Sequence, residues 1–223
     1  MPSFGFLVIR GLFAVAEHLA PGLSGRAALA LFSRTPSRRR RSGREEQALA
    51  RAEPVMREAR RHCLEGPQGR VAVYDFATGH ARRGAPTVLV LHGWGSRAAH
   101  MASCIAALDA AGFRVIAVDL PGHGDSGGRS LNMATAVATV SLVESWFGPF
   151  AGIVGHSFGG AVAANAVVGS VAGVAPVKSR RLVMVSAPSS MPSLFKEFGR
   201  FLQLGARTQT ALAAQVQRLA GRA

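Results

Sequence analysis

The sequence predicts an α/β fold: a mostly parallel sheet with helices on both faces. Three observations predict it. From residue 86 onward, short apolar runs alternate with stretches of helical period. The strand-like runs are apolar throughout rather than every second residue, as in strands buried on both faces. Each of the first three such runs ends in a glycine-rich loop, HGWG, GHGDSGG or GHSFGG, and sites in parallel sheets form at those carboxyl ends.

The first thirty residues are apolar but interrupted. Ile9, Leu12, Phe13, Ala16 and Leu19 follow helical spacing, with Arg10, Glu17 and His18 between them. The run is too broken for a membrane span and lacks a basic leader and a small-residue cleavage site, so it reads as an amphipathic helix lying on the domain. Peripheral membrane contact through residues 1–44 is the second reading, helped by the basic run SRRRRSGR at 37–44, itself expected to be a solvated loop. EEQALARAEPVMREARRHCLEG (45–66) reads as helix interrupted or restarted at Pro54, and RVAVYDFATG (70–79) as a strand and turn.

The alternation then begins. TVLVLHGWGS (87–96) is a buried strand and loop, and MASCIAALDAAG (101–112) a helix closed by Gly112. FRVIAVDLPGHG (113–124) is a second strand and loop, and LNMATAVATVSLVESWFG (131–148) a helix. AGIVGHS (151–157) is a third strand, FGGAVAANAVVG (158–169) a helix, and RLVMVSAP (181–188) a fourth strand.

Composition narrows the function classes. At 223 residues, 48% hydrophobic and 17% charged, the chain is long enough for one good-sized domain with a short appendage. The formal charge of +14 is spread along the chain, with 15 basic against 7 acidic residues in 1–83 and 11 against 5 in 84–223. There is no basic stripe interleaved with aromatics, which argues against nucleic-acid binding. Only Lys178 and Lys196 are lysines, against 24 arginines, a bias of GC-rich coding. Cys63 and Cys104 form no disulfide framework or metal spacing, so a reducing, cytoplasmic setting is expected and no metal or organic cofactor is implied. GHGDSGG also lacks the GK[ST] of a phosphate-binding loop.

The pattern G-x-S-x-G occurs twice. Around Ser126, GDSGG copies the nucleophile segment of chymotrypsin-like proteases, but that fold is all-β, and Ser126 neither follows a strand directly nor precedes a helix. Ser157 does both. Gly155 and Gly159 lack a Cβ, so the chain can turn sharply and the following helix can close on the strand. Such a turn strains the serine and exposes its Oγ at a helix N-terminus, whose partial positive charge favours an anionic intermediate.

With these loops in place, residues 87–188 resemble the first part of the α/β-hydrolase family. The resemblance implies an ester, thioester or amide hydrolase working through an acyl-enzyme, with Ser157 as nucleophile and the backbone N–H groups of Trp94 and Phe158 as an oxyanion hole. It implies supporting roles for His92, Gly93, Gly95, Asp119, His123, Gly155, Gly159 and Gly160. His156 is expected to project to the opposite side of the turn. Haloalkane dehalogenases and epoxide hydrolases of this fold need an aspartate at the elbow, where this chain has serine.

The chain also departs from the family, whose acid and histidine follow later strands. After Ser157 come 66 residues without histidine or aspartate, and Glu197 is the single carboxylate side chain. The expected organisation is therefore an N-terminal helical and basic extension (1–69), the N-terminal part of the hydrolase core (70–188) and a lid-like helical segment (189–223), incomplete at the C-terminus. The lid face of Leu194, Phe195, Phe198, Phe201 and Leu202 leans towards a hydrophobic acyl substrate. The alternative is a non-catalytic binding or scaffold protein on a shortened fold.

Overall fold

The computed structural model describes residues 4–36, 42–66, 68–77 and 84–219. In chain order the elements are α1 (Phe4–Leu19), α2 (Pro21–Ser33), α3 (Gly43–Arg57), β1 (Arg60–Gly66), β2 (Gly69–Phe76) and β3 (Thr87–Leu91). After a 3-10 turn at Ala98–Met101 come α4 (Ala102–Ala110), β4 (Arg114–Val118), α5 (Met133–Phe147), β5 (Gly152–His156) and α6 (Phe158–Val168). The chain continues through β6 (Leu182–Val185), α7 (Met191–Leu202) and α8 (Ala206–Leu219). Two compact units result, one of Thr35–Ala187 and one that joins Met1–Arg34 to Pro188–Ala223. This differs from the expected division at residue 69, which would cut through the β1–β2 hairpin.

The larger unit is a six-stranded sheet in the order β1-β2-β4-β3-β5-β6. β1 and β2 are antiparallel to each other and β2 to β4, while β3 runs parallel to both β4 and β5, and β5 parallel to β6. Successive residues Leu89, Val90 and Leu91 of β3 and Val115, Ile116 and Ala117 of β4 are all buried. Because neighbours in a strand point to opposite faces, both faces of the central sheet are covered, as expected. On one face Tyr74, Phe76, Val90, Val115 and Ala117 pack with Ile105 of α4, and Val55 and Met56 of α3 lie against them. α5 starts at a reciprocal cap in which Asn132 accepts from Thr135 N and Thr135 Oγ1 accepts from Asn132 N.

Two expectations fail here. Residues 60–66 are not the end of a helix: α3 runs through Pro54 to Arg57, and RRHCLEG forms β1, paired residue by residue with β2. The tertiary pairing partner, not local propensity, decides that segment. β6 is not covered on both faces either, since Val183, Met184 and Val185 are all exposed. It is the sheet's outer strand, and three half-exposed apolar neighbours in a row mean that neither face is fully covered. The predicted turn at 78–79 and most of the basic run at 37–44 lie outside the described residues.

In the smaller unit, α2 and α8 lie in close contact. A Cβ on Gly25 would stand 2.6 Å from Ala211 Cβ, and Thr208 Oγ1 donates to the buried Ser24 Oγ at 3.0 Å. Around that contact Ala28, Leu202, Leu204 and Leu212 are buried, with Phe6, Ile9, Phe13, Phe195 and Phe198 packed against them. The apolar face expected of the first helix is split. Ile9 and Phe13 turn inward, whereas Leu12 and Leu19 are exposed. Phe201 of α7 is likewise exposed rather than on the packed face.

Candidate active site

β3 and β5 are neighbouring parallel strands, with Leu91 opposite Gly155, so the loops that leave their carboxyl ends emerge side by side. Ser157 is the residue between β5 and α6, half-buried, with φ 51° and ψ −121°. A non-glycine residue holds such a conformation only when its surroundings enforce it. Here its N–H donates to Val185 O of β6 at 2.8 Å, and its C=O accepts from Gly160 N at 2.9 Å and Ala161 N at 3.3 Å. The amides of Phe158 and Gly159 precede those first helical bonds and belong to the positive end of α6.

The glycines around the turn have measurable reasons. A Cβ on Gly155 would lie 2.5 Å from Gly159 O, and one on Gly159 would lie 2.5 Å from His92 O. A Cβ on Gly160 would lie 2.7 Å from Ala187 Cβ. Gly93 approaches the serine itself: its Cβ would stand 3.1 Å from Ser157 Cβ and 3.2 Å from His156 Nδ1. Gly95 has φ 69°, which lets the loop turn after Trp94. The Trp94 ring meets Phe158 edge-on at 5.4 Å between centroids and His123 at 5.5 Å.

The sequence-predicted loop organisers form one buried network beneath this turn. His92 is fully buried; its Nε2 accepts from Leu120 N at 3.0 Å and its Nδ1–H donates to Gly93 O at 2.7 Å. Burial pushes its pKa down to about 3, against the opposing effect of the Gly93 bond, so the ring is neutral with both nitrogens engaged. His123 Nε2 accepts from Gly95 N at 3.0 Å and its Nδ1 faces Pro121 O at 3.0 Å. Asp119 accepts from Ala98 N at 2.7 Å through Oδ1, and from Asp125 N at 2.8 Å and Tyr74 OH at 3.0 Å through Oδ2. Burial raises its pKa, while the bonds from Ala98, Asp125 and Tyr74 pull it back.

His156 is exposed, and its Nδ1, like Ser157 Cβ, lies close to where a Cβ on Gly93 would stand. Among the described residues, neither its ring nor Ser157 Oγ has a hydrogen-bond partner, and no cluster of His, Cys, Asp or Glu could hold a metal.

Three features were not found from sequence. Ser126, set aside as a nucleophile, is fully buried: its Oγ accepts from Ala72 N at 2.8 Å and donates to Asp119 O, tying β2 to the loop after β4. Tyr74, the single tyrosine, is part of the Asp119 network, and burial followed by the charges of Asp119 and Asp125 raises its pKa. Ser186, just after β6, has φ 51°, a second strained serine beside the strand that carries Ser157. A tyrosine in an alternating strand and a serine after an apolar run were the available signals, both weak alone.

The fold and this site define a member of the α/β-hydrolase class. A sequence profile of the alpha/beta hydrolase family matches residues 88–222, and the chain belongs to that family. It is 37% identical over 133 residues to the dihydrolipoyllysine-residue acetyltransferase component of the acetoin cleaving system of Cupriavidus necator, covering 50% of this chain and 34% of that protein. Its structure is similar to an epoxide hydrolase from an endophytic Streptomyces, with TM-score 0.51, 25% identity, and coverage of 67% of this chain and 43% of that one. It is also similar to carboxylesterase CesB from Bacillus subtilis, with TM-score 0.51, 21% identity, and coverage of 77% and 66%, a likeness of fold alone. The chain thus spans about a third of the first relative and under half of the second.

Proposed function

We propose that the protein hydrolyses an ester, thioester or amide through an acyl-enzyme on Ser157. The observation that carries this reading is the strained backbone of Ser157, φ 51° and ψ −121°, at the junction of β5 and the N-terminus of α6. In the first step Oγ loses its proton to a base and bonds to the acyl carbon. The carbonyl oxygen becomes an anion that the N–H groups of Phe158 and Trp94 stabilise. The tetrahedral intermediate then expels the leaving group, which takes the proton, and water releases the acyl group by the same route. Each such amide donor contributes roughly 10²–10³ in rate.

Both nitrogens of His92 and of His123 face backbone partners, so neither ring is the base. No imidazole bonds to Ser157 Oγ among the described residues, and the reading therefore requires a base from outside them. The likeness to a dihydrolipoyllysine-residue acetyltransferase component supports acyl chemistry of this kind.

The test is labelling with a serine-reactive fluorophosphonate. The 223-residue chain, Ser157→Ala, and a version extended with the downstream coding sequence are compared. The extended protein should label rapidly, its Ser157→Ala variant not at all, and the 223-residue chain slower by several orders of magnitude. An extended protein that ignores the probe overturns the proposal. The unpartnered Ser157 hydroxyl also supports a second reading, a binding or scaffold protein. It predicts tight ligand binding that Ser157→Ala leaves unchanged.

A further inference from the structure

An ordinary surface helix turns apolar side chains inward and charged ones to water. α1 does not. Its two fixed charges point into its own unit: Arg10 donates to Phe201 O and lies over the Phe6 ring, and Glu17 accepts from Arg207 N at 3.3 Å. Ile9 and Phe13 also pack inward. The outward face carries Phe4, Leu7, Val8, Leu12, Val15 and Leu19, between 45% and 83% exposed, with the exposed Gly11 and His18 among them. At 100° per residue these six fall within an arc of about 140° that carries no Asp, Glu, Lys or Arg. Leu23, just beyond the break at Pro21, is exposed as well.

A helix apolar on both sides is either buried or in contact with a non-aqueous phase, and a contiguous exposed stripe of this kind marks an interaction surface. No described helix is long and apolar enough to cross a membrane, so the stripe is suited to lying along a surface and not to spanning it. Charge selects the occupant. The unit to which α1 belongs has eight basic residues against Glu17 and Glu197. Two such units pressed together would repel, whereas an anionic bilayer would attract the basic residues while taking up the apolar stripe.

We propose that α1 binds in the plane of an anionic lipid surface, inserting Phe4, Leu7, Val8, Leu12, Val15 and Leu19 into the interface. The assignment is independent of the chemistry at Ser157.

The experiment is co-sedimentation with phosphatidylcholine vesicles, with and without about a third phosphatidylglycerol. The protein should pellet with the anionic vesicles, less so with neutral ones, and the bound fraction should fall as salt is raised. Leu12→Glu combined with Val15→Glu should lower the partition coefficient at least tenfold while leaving the urea midpoint unchanged, because neither side chain is packed. In a separate variant, Leu12→Trp should be quenched by brominated acyl chains in the vesicles. Absence of pelleting with either vesicle overturns the proposal. So does pelleting that the double substitution leaves intact, or an unquenched Leu12→Trp. A dimer in lipid-free buffer that the double substitution dissociates would give the stripe to a second copy, and this too overturns it.

Discussion

Gly159 faces the carbonyl of His92 so closely that a Cβ on it would stand 2.5 Å from that oxygen and 2.6 Å from Leu91 O. The opposing atoms are backbone at the end of β3 and cannot rotate away. Gly159→Ala should therefore push α6 off the sheet and destabilise the protein by about 1–3 kcal/mol, read as a lower urea midpoint. Gly11→Ala, in α1 with no atom within 4 Å of the added Cβ, should instead stabilise by about 0.5–1 kcal/mol. Equal effects at the two positions would contradict this packing.

Ser126→Ala should separate the two G-x-S-x-G serines. It removes the acceptor for the buried Ala72 N–H and should destabilise by roughly 1–3 kcal/mol. Fluorophosphonate reactivity should survive in the fraction that folds. Loss of labelling at full stability would assign Ser126 a chemical role.

Asp119→Asn keeps the shape of the side chain but replaces one acceptor oxygen by a donor. With Ala98 N, Asp125 N and Tyr74 OH all pointing at the carboxyl group, at least one donor is left opposite an NH₂. The expected loss is roughly 2–4 kcal/mol, measured by chemical denaturation, because a charged acceptor is lost and a buried donor orphaned.

Stability should fall as pH drops below the ordinary histidine range. His92 has its folded pKa depressed to about 3 from 6.5. The unfolded chain therefore binds a proton below pH 6.5 that the folded protein refuses until about pH 3. The sign is fixed: full stability from this group lies above pH 6.5 and is lost progressively towards 3, with a limiting slope of about 1.4 kcal/mol per pH unit. Asp119, whose pKa is raised, acts in the opposite sense above its usual range. Urea midpoints followed from pH 8 to 4.5 in the protein and in His92→Asn separate the two, since the variant should lose the His92 slope.

What the sequence made legible was local and periodic. Strands whose two faces are both buried announce themselves by unbroken apolar runs, which is why β3, β4 and β5 and the loops that leave them were legible. β1 was missed because RRHCLEG has neither that run nor a clean alternation, and its structure comes from β2 across the hairpin. The inward turn of Arg10 and Glu17 was equally hidden, since their partners, Phe201 and Arg207, lie 191 and 190 residues away. Sequence context set Ser126 aside as a nucleophile, but its structural role, bonding Ala72 N and Asp119 O from a buried position, shows only in the packing.

One architectural fact bears on which parts of this fold can vary. Leu91 and Gly155 sit opposite each other on adjacent strands, so the backbone that delivers Trp94 and the backbone that delivers Ser157 are held apart by the sheet's own repeat of about 4.8 Å. That spacing is common to every pleated ladder and is indifferent to what the loops contain. Insertions beyond the strand ends can remodel the loops, while the strand ends from which those loops spring stay where the ladder sets them.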